Sequence, residues 1–143
     1  MLDRTGSTGI LFPVVALAAL TFGVLLLIPV RRFRAGFAGQ IVAEDFKYGE
    51  SARVPPEVGI PNRNMMNLLE LPVLFYVACL TYYVVGRVDG TALALAWAYV
   101  GLRAAHSAIH LSYNRVRDRL IAFAASNVVL IMLWTNLIRA LSA

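Results

Sequence analysis

The chain has 143 residues, of which 59% are hydrophobic and only 15% charged, with a mean hydropathy of +0.70. A soluble domain of this size carries about a quarter charged residues, so this is the composition of one compact integral membrane domain covering residues 1–143. The net charge of +5 does not describe a nucleic-acid surface, because the basic residues lie between apolar segments, where such residues set topology. Cys79 is the single cysteine and has no partner for an intrachain disulfide; among Val77, Ala78 and Leu80 it reads as a small core residue.

The first apolar run covers residues 9–30 and is followed by the basic cluster Arg31, Arg32 and Arg34. A signal peptide has a shorter apolar region with its basic flank in front. This run is long enough, at roughly 33 Å of helix, to cross the hydrocarbon core as a retained first span. Residues 31–63 are then expected to form a loop on one membrane face, since Glu44, Asp45, Lys47, Glu50, Arg53 and Glu57 mix there with Pro55, Pro56 and Pro61. The second span is expected over 64–85, with Pro72 inside it and Tyr82 and Tyr83 at the far interface. The sequence GRVDG at 86–90 is a tight turn into a third span, 91–112. A basic connector, YNRVRDR, precedes the fourth span at 120–141, where Asn127 and Asn136 are the polar exceptions.

The connectors after spans one and three hold Arg31, Arg32, Arg34, Lys47, Arg53, Arg63, Arg115, Arg117 and Arg119; the opposite face holds Arg4, Arg87 and Arg139. The bias of basic residues toward the cytoplasm therefore puts both termini outside. The membrane would be the plasma membrane of a bacterium or the endoplasmic reticulum of a eukaryote.

Two polar stripes need a reason, because ionisable groups at membrane depth mark sites or interhelical contacts. Arg63, Asn67 and Glu70 share one helix face by their three- and four-residue spacing, and so do Tyr99, Arg103, His106, His110 and Tyr113. Both stripes run toward the cytoplasmic ends of their helices, so antiparallel neighbours bring them together. Three readings fit: an Arg103–Glu70 pair with histidine hydrogen bonds joining helices, a metal or haem site on His106, His110 and Glu70, or a pocket for a small, multiply charged molecule with an apolar co-substrate entering from the lipid. Arg103, one turn from His106, opposes a bound cation, and no metal is expected.

These residues resemble the MAPEG superfamily, the membrane-associated proteins of eicosanoid and glutathione metabolism. The family pattern in the second helix, Arg-x-x-x-Asn-x-x-Glu with a nearby Pro, reads here as Arg63, Asn67, Glu70 and Pro72. The pattern in the third, Arg-x-x-His-Ser/Thr-x-x-Tyr, is matched by Arg103, His106 and Ser107, and a further arginine sixteen positions after the first falls on Arg119. The chain departs from the family at Leu68, where an Asp is usual, at His110, where a Tyr is usual, and at Pro72, two residues after Glu70 rather than four.

The resemblance implies an all-α, integral membrane four-helix bundle assembling as a homotrimer, with glutathione bound between subunits. Arg63 and Arg103 would hold its carboxylates, Glu70 its amine and Asn67 its backbone, with His106, His110 and Tyr113 completing the pocket. Arg119, or Arg117 about half a turn away, would stabilise the thiolate, since a guanidinium lowers a thiol pKa. An arginine at the end of the first helix, Arg31 or else Arg34, would come from the next subunit. The implied activity is that of a glutathione transferase or peroxidase acting on hydrophobic electrophiles from the bilayer. The competing expectation is a non-catalytic lipid-binding or scaffold protein of the same fold.

Overall fold

The computed structural model describes residues 7–142, which form helices and short connectors with no strand among the described residues. A 3-10 turn, Ser7–Ile10, runs into α1 (Leu11–Phe37). A loop with a second 3-10 turn, Ala43–Phe46, leads to α2 (Pro56–Leu69), α3 (Pro72–Val85), α4 (Gly90–Leu111) and α5 (Val116–Ser142). Four helical stretches are long and apolar enough to cross a bilayer: Ser7–Phe37, Pro56–Val85, Gly90–Leu111 and Val116–Ser142. The expectation of four spans therefore holds. Arg4, counted above in setting orientation, lies outside the described residues.

Two features differ from the sequence reading, and proline chemistry explains both. The hydrophilic stretch expected as loop up to residue 63 is helical from Pro56 onward. Pro56 stands at the first helical position, where a missing N–H costs nothing. Pro61 lies inside α2 and leaves the Glu57 carbonyl without its usual donor. The Arg31 guanidinium fills that place, Nη1 donating to Glu57 O at 2.8 Å. Pro72, expected within one continuous helix, instead starts α3 after a break at Glu70 and Leu71. It has no N–H to offer Leu68, so the ladder ends there and restarts.

The turn at 86–90 forms as its sequence demands. Gly86 adopts φ +68°, a left-handed conformation that closes α3, and the Arg87 N–H returns to Tyr82 O at 3.3 Å. Asp89 then caps α4, its carboxylate accepting from the Ala92 N–H at 2.6 Å. Asn114, the one described non-glycine residue at positive φ, makes the tight passage from α4 to α5, its N–H bonded to Ile109 O at 2.8 Å.

Within lipid there is no hydrophobic drive between helices, so packing and hydrogen bonds join them. The small residues Ala92 and Ala96 let α4 approach its neighbours closely, and Phe75 of α3 stacks on Tyr99 of α4 with ring centroids 4.7 Å apart. Tyr82 donates to Leu133 O at 3.3 Å and accepts from Asn136 at 2.9 Å, tying α3 to α5 near the turn that joins α3 to α4. Cys79 is buried in this core, as its surroundings suggested. Phe12, Phe22, Leu26, Ile131 and Ile138 are exposed, the surface a lipid-facing bundle presents.

The loop after α1 is folded, not merely connecting. Asp45 accepts from the Val42 N–H at 2.9 Å and from Ser51 Oγ at 2.7 Å. Those two bonds hold its carboxyl below the ordinary value of 3.8. A depressed folded pKa means stabilisation that is full above the unfolded value and is lost as pH falls through the folded one. The protection of the Val42 and Ser51 amides, measured against the intrinsic exchange rate at each pH, is therefore expected to fall as the solution is acidified below about pH 4. In Asp45→Asn that protection should be lower at neutral pH and insensitive to the acidification. An equally acid-sensitive loop in the variant would contradict this reading.

Candidate functional site

The buried face of α4 carries Tyr99, Arg103, His106, Ser107 and His110, so four of the five residues in the predicted stripe turn inward together. Tyr113 does not: it lies past the end of α4 and is 61% exposed. On α2 the buried face is rotated relative to the predicted stripe. Asn64 and Leu68 are buried, Asn67 is half-buried, and Arg63 and Glu70 are exposed. Asn64 faces α4, its Oδ1 accepting from Ser107 Oγ at 3.3 Å.

Arg103 is completely buried. Its Nη2 donates to the Asn67 carbonyl, an acceptor left open by the break before Pro72, so the cation sits at the negative end of α2. The interhelical Arg103–Glu70 pair is not formed; the ion pair found among the described residues joins Arg32 to Glu50 at 3.3 Å. Arg103 also lies over the Phe123 ring of α5, 5.6 Å from its centroid.

His106 Nδ1 lies 3.1 Å from the Arg119 carbonyl. A carbonyl only accepts, so Nδ1 carries the proton, and in the neutral ring Nε2 is left as an acceptor. His106 stands edge-on to His110, with centroids 5.8 Å apart, and at the same distance from Phe123. Phe123 therefore joins Arg103 to His106, a role that an apolar residue on a membrane helix does not announce in sequence.

Asn67, His106 and Arg119 line one cavity of about 220 Å³, walled by Val116, Leu120 and Phe123. Arg119 is fixed there by Nη1, which donates to Asn114 Oδ1 at 2.8 Å. Arg117 is exposed on α5 and does not line the cavity. Of the two arginines held open by the sequence, Arg119 is the one beside His106 and Asn67.

Several buried polar atoms near this cavity have no hydrogen-bond partner: Asn64 Nδ2, Arg103 Nε and Nη1, His106 Nε2 and His110 Nδ1. Three of these five are N–H donors on Asn64 and Arg103, the chemistry that receives a carboxylate. Among the described residues, no group of three or more His, Cys, Asp or Glu is arranged to hold a metal ion. Arg63 stands near Gly59, where its guanidinium and the Glu50 carboxylate fill the space that a Cβ would need.

Arg31 is committed within its own chain. Besides Glu57 O, it donates through Nη2 to Leu111 O at 3.3 Å, joining α1 to α2 and to the end of α4. Arg34 is exposed on the same helix and lines a shallow cavity with Arg31, Gln40 and Glu57.

A second, apolar cavity of about 360 Å³ lies between α3 and α5, lined by Leu71, Leu74, Leu130, Ile131 and Ile138 with Asn127, Trp134 and Thr135. Asn127 Oδ1 and Trp134 Nε1 are buried without partners, one an acceptor and the other a donor. Asn127 lies two turns beyond Arg119 on α5, roughly 12 Å along the axis.

No curated protein and no solved structure matches the chain. The model of the MAPEG family matches residues 10–139, nearly the full length. With four helices of membrane-spanning length and apolarity, the chain is an integral membrane protein, and it belongs to the MAPEG family.

Proposed function

We propose that this protein is a membrane-bound glutathione-dependent transferase or peroxidase acting on lipophilic electrophiles. The observation that carries the reading is the convergence of Arg119, His106 and Asn67 on one cavity where α2, α4 and α5 meet. Family membership supplies the class of chemistry, and the cavity supplies a cation where a thiolate would form.

In this reading glutathione places a carboxylate against the unpartnered N–H groups of Arg103 and Asn64, with Arg63 taking the second carboxylate and Glu70 the amine. Asn67 meets the peptide backbone. The His106 Nε2 lone pair accepts a hydrogen bond from the ligand, and His110 and Tyr113 complete the rim. The Arg119 guanidinium stabilises the thiolate, raising the fraction that is ionised at neutral pH. The apolar co-substrate lies along α3 and α5, its oxygen function held by Trp134 Nε1–H and Asn127 Oδ1. In transfer, the thiolate sulfur bonds to the electrophilic carbon as the leaving group departs with its electron pair. With a hydroperoxide, the sulfur takes the terminal oxygen and the alcohol leaves after gaining a proton; a second glutathione then yields disulfide and water.

The unit is the whole chain, residues 1–143, assembled as a homotrimer with glutathione between subunits. Both termini lie outside, and the loop after α1 and the α4–α5 connector face the cytoplasm, in a bacterial plasma membrane or a eukaryotic endoplasmic reticulum. Arg31 serves this site indirectly, by holding α2 against α4; any arginine lent to a neighbour would then be Arg34.

Purified protein with glutathione and a generic aryl halide tests the reading. Glutathione should raise the unfolding midpoint, since a ligand bound only by the native state stabilises it, and conjugate should accumulate. Folded protein showing neither response would overturn it. A second reading, a non-catalytic lipid-binding or scaffold protein of the same fold, draws on Arg103, whose role here is to close a helix break. It predicts no turnover and no loss of function in Arg119→Leu.

A further inference from the structure

A cavity larger than those described above lies apart from this site. It is a groove of about 540 Å³ between the last turns of α1 and the loop that folds back on them, lined by Pro29, Phe33, Phe37, Val42 and Phe46 with Arg32 and Gly36. Its wall is preformed. Asp45 pins Val42 and Ser51, and Phe46 packs against a small buried cluster of Ala35, Ile41, Val54 and Val58.

Among the described residues, Arg32 is the one charged residue lining the groove. Its Nη2 donates to Glu50 Oε1 at 3.3 Å, and its guanidinium carbon lies 4.2 Å from the Phe46 ring centroid. These contacts fix the fork in place, yet Nε is buried with no partner. An N–H held beside an apolar slot suits a phosphate oxygen.

Depth identifies the source of that phosphate. α1 has 27 residues, about 40 Å of helix against a hydrocarbon core of about 30 Å. Its last turns therefore reach the headgroup layer, where exposed Phe33, Phe37 and Tyr48 make an aromatic rim and Arg34 and Lys47 add positive charge. We propose that the groove at the end of α1 is a binding site for one anionic phospholipid, an acyl chain lying along Pro29 and Phe33 and the phosphate at Arg32.

The test places a fluorescent reporter in the groove wall by Phe46→Trp, in full-length protein in mixed micelles. Signal from Trp97 and Trp134 is subtracted using the parent chain. Brominated phosphatidylglycerol should quench the reporter at a mole fraction about fivefold lower than brominated phosphatidylcholine with the same chains, the preference one arginine near a membrane surface confers. Arg32→Gln should abolish that preference. Gly36→Leu should abolish quenching by both lipids, because a side chain there enters the groove and its Cβ meets no atom within 4 Å, so folding is kept. Equal quenching by the two lipids, a preference surviving Arg32→Gln, or quenching surviving Gly36→Leu would overturn the proposal. A change in oligomeric mass on Gly36→Leu, with lipid quenching absent from the Phe46→Trp protein, would do the same by making the groove a contact between copies.

Discussion

Arg119→Leu is expected to lower glutathione conjugation about hundredfold while leaving helicity and the unfolding midpoint close to those of the parent. A fixed cation facing developing negative charge in a site with few waters typically contributes two to three orders of magnitude to rate. Arg119 has that placement, in a cavity with His106 and Asn67 and anchored by Asn114. The structural bond at this position uses the Arg119 backbone carbonyl, which accepts from His106 and survives the substitution. Loss of Arg119 Nη1 leaves only a half-exposed Asn114 without its partner. Arg117→Leu is the matched control: Arg117 is exposed and does not line the cavity, so the rate should stay near that of the parent. Steady-state rates for the two variants, measured together, decide between the arginines. The reverse pattern would move the thiolate site to Arg117.

The second large effect is on stability. Arg31→Met should destabilise the protein by about 2 kcal/mol, the loss of two charge-assisted hydrogen bonds reduced for their partial exposure. The substitution leaves the Glu57 carbonyl, which Pro61 deprives of a donor, and the Leu111 carbonyl at the end of α4 without partners. Arg34→Met removes the same charge from an exposed position and should leave the unfolding midpoint almost unchanged. Thermal unfolding in detergent compares the pair directly. Equal destabilisation would mean that charge, not the carbonyl clamp, is what matters at the end of α1.

How far the sequence foretold this site depends on which helix is considered. On α4 the polar residues repeat at three and four amid apolar neighbours, so Arg103, His106 and His110 were legible as one face, and they are buried as one. Tyr113 fits the same spacing but lies beyond the residue where α4 ends, and spacing alone does not mark that end. On α2 the polar residues are too many to select a face. Asn64 and Asn67 both fit a stripe, and it is Asn64 that is buried against Ser107.

The break before Pro72 could be suspected from the proline. That Arg103 would close it could not, because the two positions are 36 residues apart and the acceptor is a backbone carbonyl. The clamp that Arg31 makes within its own chain was illegible for the same reason, since its acceptors at Glu57 and Leu111 are main-chain atoms that every residue possesses. Phe123 and Trp134 sit among lipid-facing residues of identical character, and only packing distinguishes a cavity wall from a surface.

In the proposed function, Arg119 and its neighbours hold glutathione as a thiolate. Ultraviolet difference absorption of glutathione bound to the folded protein at neutral pH tests it most directly. A thiolate band that saturates with glutathione is expected in the parent and in Arg117→Leu, and is expected to be absent from Arg119→Leu. Saturable binding of glutathione with no thiolate band in the parent protein would contradict it.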